Sequence, residues 1–77
     1  MKELIDKIHT TKLGELRIKN NLNIDGDVVL YCKEKILDKN SKIYKKGKNY
    51  YCENGNIIIT INSYSYTIIT AHLKEDK

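Results

Sequence analysis

The stretch "NYYCENGNIIITIN", residues 49–62, narrows the folds open to this chain more than any other. It sets Asn54-Gly55 between two runs whose apolar residues recur every second position, the strongest short-range signature of a β-hairpin. Asn and Gly tolerate the positive φ that both central residues of a type I′ turn require. A two-residue loop there would place Glu53 opposite Asn56, Cys52 opposite Ile57, Tyr51 opposite Ile58, Tyr50 opposite Ile59 and Asn49 opposite Thr60. The period of two then divides the hairpin into a core face of Tyr50, Cys52, Ile57, Ile59 and Ile61 and an open face of Asn49, Tyr51, Ile58, Thr60 and Asn62.

The same period runs from Ser41 onward and predicts four strands, near residues 42–45, 48–53, 56–62 and 66–73, in an antiparallel meander. A tight turn at Lys46-Gly47 would pair Ile43 with Tyr50 and bring Tyr44 onto the open face. In the last strand Ile69, Ala71 and Leu73 form the more apolar set and are expected in the core, leaving Tyr66, Ile68, Thr70 and His72 on the open face. That assignment needs an odd loop, such as Ser63-Tyr64-Ser65, because an even one exchanges the two sets.

The first half of the chain has helical spacing. Helices are expected near residues 2–9, carrying Leu4, Ile5 and Ile8; near 12–20, capped by Thr10 or Thr11 and carrying Leu13 and Leu16; and near 26–38, with Asp25 or Asp27 at its start. In the third, Val29, Cys32 and Ile36 form a stripe with Val28 and Leu37 beside it. Gly14 weakens the second helix by about 1 kcal/mol relative to Ala, unless close packing requires it. The expected fold is α+β: one domain over residues 1–77, with three N-terminal helices on one face of a four-stranded antiparallel meander sheet.

A chain of 77 residues hides only about 60–65% of the surface it exposes when unfolded, so its core is thin. Twelve isoleucines carry most of it, and all six aromatics are Tyr. A homodimer would relieve that shortage. The start "MKELIDKIHTTK" lacks an unbroken apolar run and "IIITI" is the longest apolar run, so neither a secretory leader nor a membrane span is expected, and the location expected is cytoplasmic. Cys32 and Cys52 lie in no C-x-x-C pair and read as small buried hydrophobes. With two His and two Cys scattered along the chain, neither a metal nor a cofactor is expected.

The net charge of +4 favours an anionic partner, although thirteen of the fourteen basic residues are Lys and only Arg17 suits bidentate phosphate contact. The open face predicted above gathers Tyr44, Tyr51 and Tyr66 among Asn49, Thr60, Asn62, Thr70 and His72, with Lys42, Lys45, Lys46 and Lys48 at its rim. Exposed rings stack bases and lysines meet phosphates, so RNA is the first partner expected. His72 is the natural acid or base, set near the row of Glu53 and Asn56, whereas His9 reads as a linker residue. A host protein, bound by the same face or by a sheet edge in the manner of a small adaptor or a phage-borne inhibitor, is the alternative. No P-loop, G-x-G-x-x-G, G-x-S-x-G or H-E-x-x-H occurs.

"IHTTKLGELRIKNNL", "VVLYCKEKI", "KGKNYY" and above all "ITINSYSYTIITAH" resemble a family of short bacterial proteins catalogued as domain of unknown function 3781. The resemblance spans nearly the whole chain and implies no activity. The layout is also similar to the compact ribonuclease toxins of the barnase and RelE kind, which implies metal-independent RNA cleavage by 2′-OH attack on the open face. His72, Tyr66, Thr70 and Lys48 would fill the catalytic roles, although the predicted pairing sets Lys48 on the core side and no arginine lies in the sheet.

Overall fold

A computed structural model describes residues 2–74. It is α+β: a six-residue 3₁₀ helix at Lys2–Lys7, α1 at Lys12–Leu22, α2 at Val28–Leu37, then β1 at Lys42–Lys46, β2 at Asn49–Asn54, β3 at Ile57–Asn62 and β4 at Ile68–Leu73. The strands form one antiparallel sheet in the order β1-β2-β3-β4. Two α-helices are present where three were expected. Ile8 N–H donates to the Ile5 carbonyl, an i to i+3 closure, and His9 already pairs in extended form with Thr67, so the first segment has too few residues for a sustained α-helix.

Thr11 caps α1 by accepting from Gly14 N–H at 3.0 Å, and Asn23, in the left-handed region at φ 56°, ends it. The buried stripe is Gly14, Ile18 and Leu22, while Leu13 and Leu16, expected to pack, are about 60% exposed. Gly14 explains the rotation. A Cβ there would meet the Thr11 hydroxyl at 3.3 Å, the Ile68 carbonyl at 3.4 Å and, closer still, the Thr10 hydroxyl, so its absence lets α1 lie directly against β4. In α2, Asp27 accepts from Leu30 N–H at 3.1 Å, and Val28, Cys32 and Ile36 are buried one turn apart.

Both hairpins turn one residue later than expected. The loops are Gly47-Lys48 and Gly55-Asn56, so Ile43 pairs with Cys52, Cys52 with Ile59 and Tyr51 with Thr60. Each has Gly at its first position with positive φ, 64° and 60°, and neither Lys48 nor Asn56 has it, the pattern of a II′ turn. Asn54 therefore stays in β2, where its amide donates to the Asp38 carboxylate at 3.2 Å and the Ser41 hydroxyl at 2.7 Å, joining the end of α2 to the sheet. The second pairing slips by two residues, an even number, and so the faces expected of β2 and β3 survive the error.

Between β3 and β4, Asn62 N–H donates to the Thr67 carbonyl at 2.9 Å and closes a loop of four residues, Ser63–Tyr66, with Thr67 leading into β4. An even loop puts Ile68, not Thr67, opposite Ile61, and so moves Ile68 from the expected open face into the core, where it is fully buried. A β-bulge then adds one residue opposite the Thr60–Ile61 step, and Ile69 takes it, emerging 37% exposed. Beyond the bulge, parity is restored: Ala71 is buried and pairs with Ile59, whereas Thr70 pairs with Thr60 and His72 with Ile58 on the other face. The expectation of Ile69 and Leu73 as buried anchors is thus corrected, since Leu73 is also exposed.

Ile8, Ile18, Leu22, Val28, Cys32 and Ile36 from the first half close over Cys52, Ile59, Ile61, Ile68 and Ala71 from the sheet. Both cysteines are free, and burial pushes the Cys32 thiol up to about 12, beyond reach of ionisation near neutrality. The outer edge of β4 is occupied: Ile68 N–H donates to the His9 carbonyl at 2.7 Å, Thr10 Oγ1 to the Ile68 carbonyl at 2.9 Å and Asn21 Nδ2 to the Ala71 carbonyl at 3.3 Å. At the opposite end no strand among the described residues pairs with the outer side of β1, and its exposed Lys42, Lys45 and Lys46 blunt that edge.

Candidate functional site

The face away from the helices is built in rows across the strands. The central row runs Tyr44, Tyr51, Thr60, Thr70; the row beside it runs Lys42, Glu53, Ile58, His72; on the other side lie Lys46, Asn49 and Asn62. Tyr44 and Tyr51 stack with ring centroids 5.5 Å apart and planes inclined by 22°. Thr60, between Tyr51 and Thr70, is only 8% exposed although it faces away from the core, because its taller neighbours cover it.

Electrostatics fix the Tyr44 ring. Its hydroxyl donates to Glu53 Oε2 at 2.7 Å, and Lys74 Nζ lies 3.1 Å from Glu53 Oε1. The Tyr44 hydrogen bond first and the Lys74 contact second hold the Glu53 carboxyl below the usual carboxylate range, and the same bond pushes the Tyr44 phenol up. A depressed carboxyl contributes stability above its unfolded value that is lost as pH falls through its folded one. Glu53→Gln is therefore expected to flatten the acid limb of a plot of Tm against pH, and Tyr44→Phe to let Glu53 titrate nearer its ordinary range, read by carboxyl NMR.

The expected site residues do not all converge. Tyr44, Tyr51, Thr60, Thr70 and His72 share the face, but Tyr66 leaves it for the loop, where its φ of 59° is unusual for a bulky residue and its ring lies 5.8 Å below Lys7 Nζ. Lys48 is in a turn and exposed, not on the core side, and Lys46 is exposed at the end of β1. Asn62 is engaged in its own loop, its Oδ1 accepting from Tyr64 N–H at 2.9 Å and Ser65 N–H at 3.0 Å. Thr70 Oγ1 accepts from Asn21 Nδ2 at 3.2 Å. His72 shares its row with Glu53 as expected, but Ile58 stands between them and both carboxylate oxygens are taken by Tyr44 and Lys74.

His9, read from sequence as a linker, is the histidine that the fold engages. Its Nδ1 lies 2.9 Å from the Lys7 carbonyl and its Nε2 3.0 Å from Thr67 Oγ1. Only the parallel bridge to Thr67 reveals this, and no local pattern in "KIHTTK" signals it. Among the described residues no group of three or more His, Cys, Asp or Glu side chains converges to hold a metal ion, and no helix is long and apolar enough to cross a membrane.

No curated protein and no solved structure matches the chain, so the likeness in layout to ribonuclease toxins gains no support from comparison. A family model described as protein of unknown function (DUF3781) matches residues 2–72. Since that match takes in both α-helices and nearly the whole sheet, the chain belongs to this family.

Proposed function

We propose that the protein binds single-stranded RNA on its open sheet face, stacking bases on the Tyr44–Tyr51 pair. The observation that carries this reading is the pair itself: two rings stacked on a sheet face, with Lys42, Lys46 and Lys74 around them and hydroxyls of the Thr60 and Thr70 row alongside. Stacking on aromatic side chains is tolerant of sequence and is worth about 1–3 kcal/mol per base, and lysines supply the salt-dependent part. Glu53 does not oppose this, because Lys74 balances its charge. Binding without cleavage is the form favoured here, since His72 has no carboxylate to orient it.

Fluorescence anisotropy with a labelled oligouridine tests the proposal. Affinity is expected to fall as salt rises, Tyr51→Ala to weaken binding by about 5–150-fold, and Lys46→Ala to lower the salt slope by about 1. Affinity indifferent to Tyr51→Ala would sink the stacking model. Progressive shortening of the RNA, abolished in His72→Ala, would instead establish the cleavage reading. The free β1 edge favours a second reading, in which a partner protein adds a strand there; stoichiometric capture of a protein, lost when a proline is placed in β1, would support it.

A further inference from the structure

Beyond the open face, the loop between β3 and β4 and the residues that follow the 3₁₀ helix bring together the side chains of His9, Ser65 and Thr67, which the proposed RNA binding does not use. A carbonyl oxygen can only accept, so the contact between the Lys7 carbonyl and His9 Nδ1 at 2.9 Å puts the ring proton of neutral His9 on Nδ1. Nε2 then carries the lone pair, and the Thr67 hydroxyl, 3.0 Å away, must donate to it. Ser65 Oγ lies 2.8 Å from Thr67 Oγ1 and 3.3 Å from Asn62 Oδ1, which already accepts two backbone N–H groups, so its proton is best placed on Thr67. The result is a directed chain from Ser65 through Thr67 to His9, with the ring held by a backbone carbonyl.

We propose that Thr67 is a hydroxyl nucleophile activated by His9, and that it takes the acyl group of a small activated ester. The arrangement meets the geometric test for an activated nucleophile, with base and hydroxyl in hydrogen-bond reach and the base oriented by a third group. Pinning the chain does not require it, because His9 N–H to the Tyr66 carbonyl and Ile68 N–H to the His9 carbonyl already hold the two segments through the backbone. A second observation points to the same place. Tyr66, immediately before Thr67, is held at φ 59°, and bulky residues keep that conformation chiefly where a site demands it.

In the reaction, Thr67 Oγ1 bonds to the acyl carbon as its proton passes to His9 Nε2. The bond from that carbon to the leaving oxygen breaks, the leaving group departs as an anion, and His9 later loses the proton to water. The product is an ester on Thr67.

p-Nitrophenyl acetate is the probe, with release of nitrophenolate followed by absorbance and the acetylated peptide located by mass spectrometry. Alkaline hydroxylamine distinguishes a Thr67 ester, which it cleaves, from acetylated lysine, which it spares. A single ester on Thr67 is expected. Thr67→Val should lose the ester and Thr67→Ser keep it. His9→Gln, which preserves the backbone pairing, should slow it about 100-fold or more. An ester absent from Thr67, or an unchanged rate in His9→Gln, overturns the proposal. So does a wild-type rate that follows hydroxide alone, a measurement independent of whether any variant folds.

Discussion

Ile59→Ala is expected to cost about 2–5 kcal/mol, seen as a lower urea midpoint at unchanged slope. Ile59 is fully buried at the centre of the sheet, paired with Cys52 on one side and Ala71 on the other. Neither neighbour is large enough to fill the vacated space. The total stability of a chain this size is about 4–12 kcal/mol, so the loss is a large fraction of it and the variant should be partly unfolded at 37 °C. Ile69→Ala supplies the contrast. Because the bulge turns Ile69 outward, its truncation should cost about 0.5 kcal/mol or less, whereas an Ile69 anchored in the core would cost several times more. Equal losses at the two positions would show that the bulge does not exist in solution.

The second large effect is at Gly14, where two contributions oppose each other. Gly14→Ala in an exposed helix stabilises by about 1 kcal/mol through propensity alone. Here the new methyl displaces the Thr10 hydroxyl from its bond to the Ile68 carbonyl and crowds the capping Thr11 hydroxyl at 3.3 Å. Leaving a partly buried carbonyl without its donor costs about 1–3 kcal/mol, and overpacking adds about as much again. The sum favours destabilisation by about 1–5 kcal/mol, so the variant is expected to melt at a lower temperature than the parent. A higher Tm would mean that α1 stands further from β4 than described.

What was legible in the sequence follows from what is local. The meander was legible because alternation and glycine turns are written within a few residues, and the faces of β2 and β3 came through a slipped turn because the slip was even. Capping by Thr11 and Asp27 was equally local. The bulge at Ile69 was not legible. "YTIITAH" alternates no better in one register than in the other, and the choice is made by β3 and by residues 9, 10 and 21, which occupy the outer edge of β4. The same remoteness hid the role of His9 and reversed the apolar stripe of α1, for Leu13 and Leu16 make the better local pattern until β4 requires a glycine. For the candidate site, the shared face of Tyr44, Tyr51 and Thr60 followed from parity, but their alignment in one row did not, because the expected turns set Tyr44 opposite Asn49 and Tyr51 opposite Ile58. Thr70 reached that face through the bulge instead of an odd loop, and Tyr66 was lost because a four-residue loop reads the same as a three-residue one.

The pairing of residues 9 and 10 with 67 and 68 spans 58 positions of chain, and it bears on how the protein is made. α1 is synthesised before any of the strands, yet the surface that receives its Gly14, Ile18 and Leu22 belongs to β4, the last of the described strands. At about 5–20 residues per second, the helix spends roughly 3–12 s with that face unmatched, while the β1–β2–β3 meander is still being translated. α1 therefore cannot dock before β4 has been made, and during those seconds its apolar side is open to capture by a chaperone.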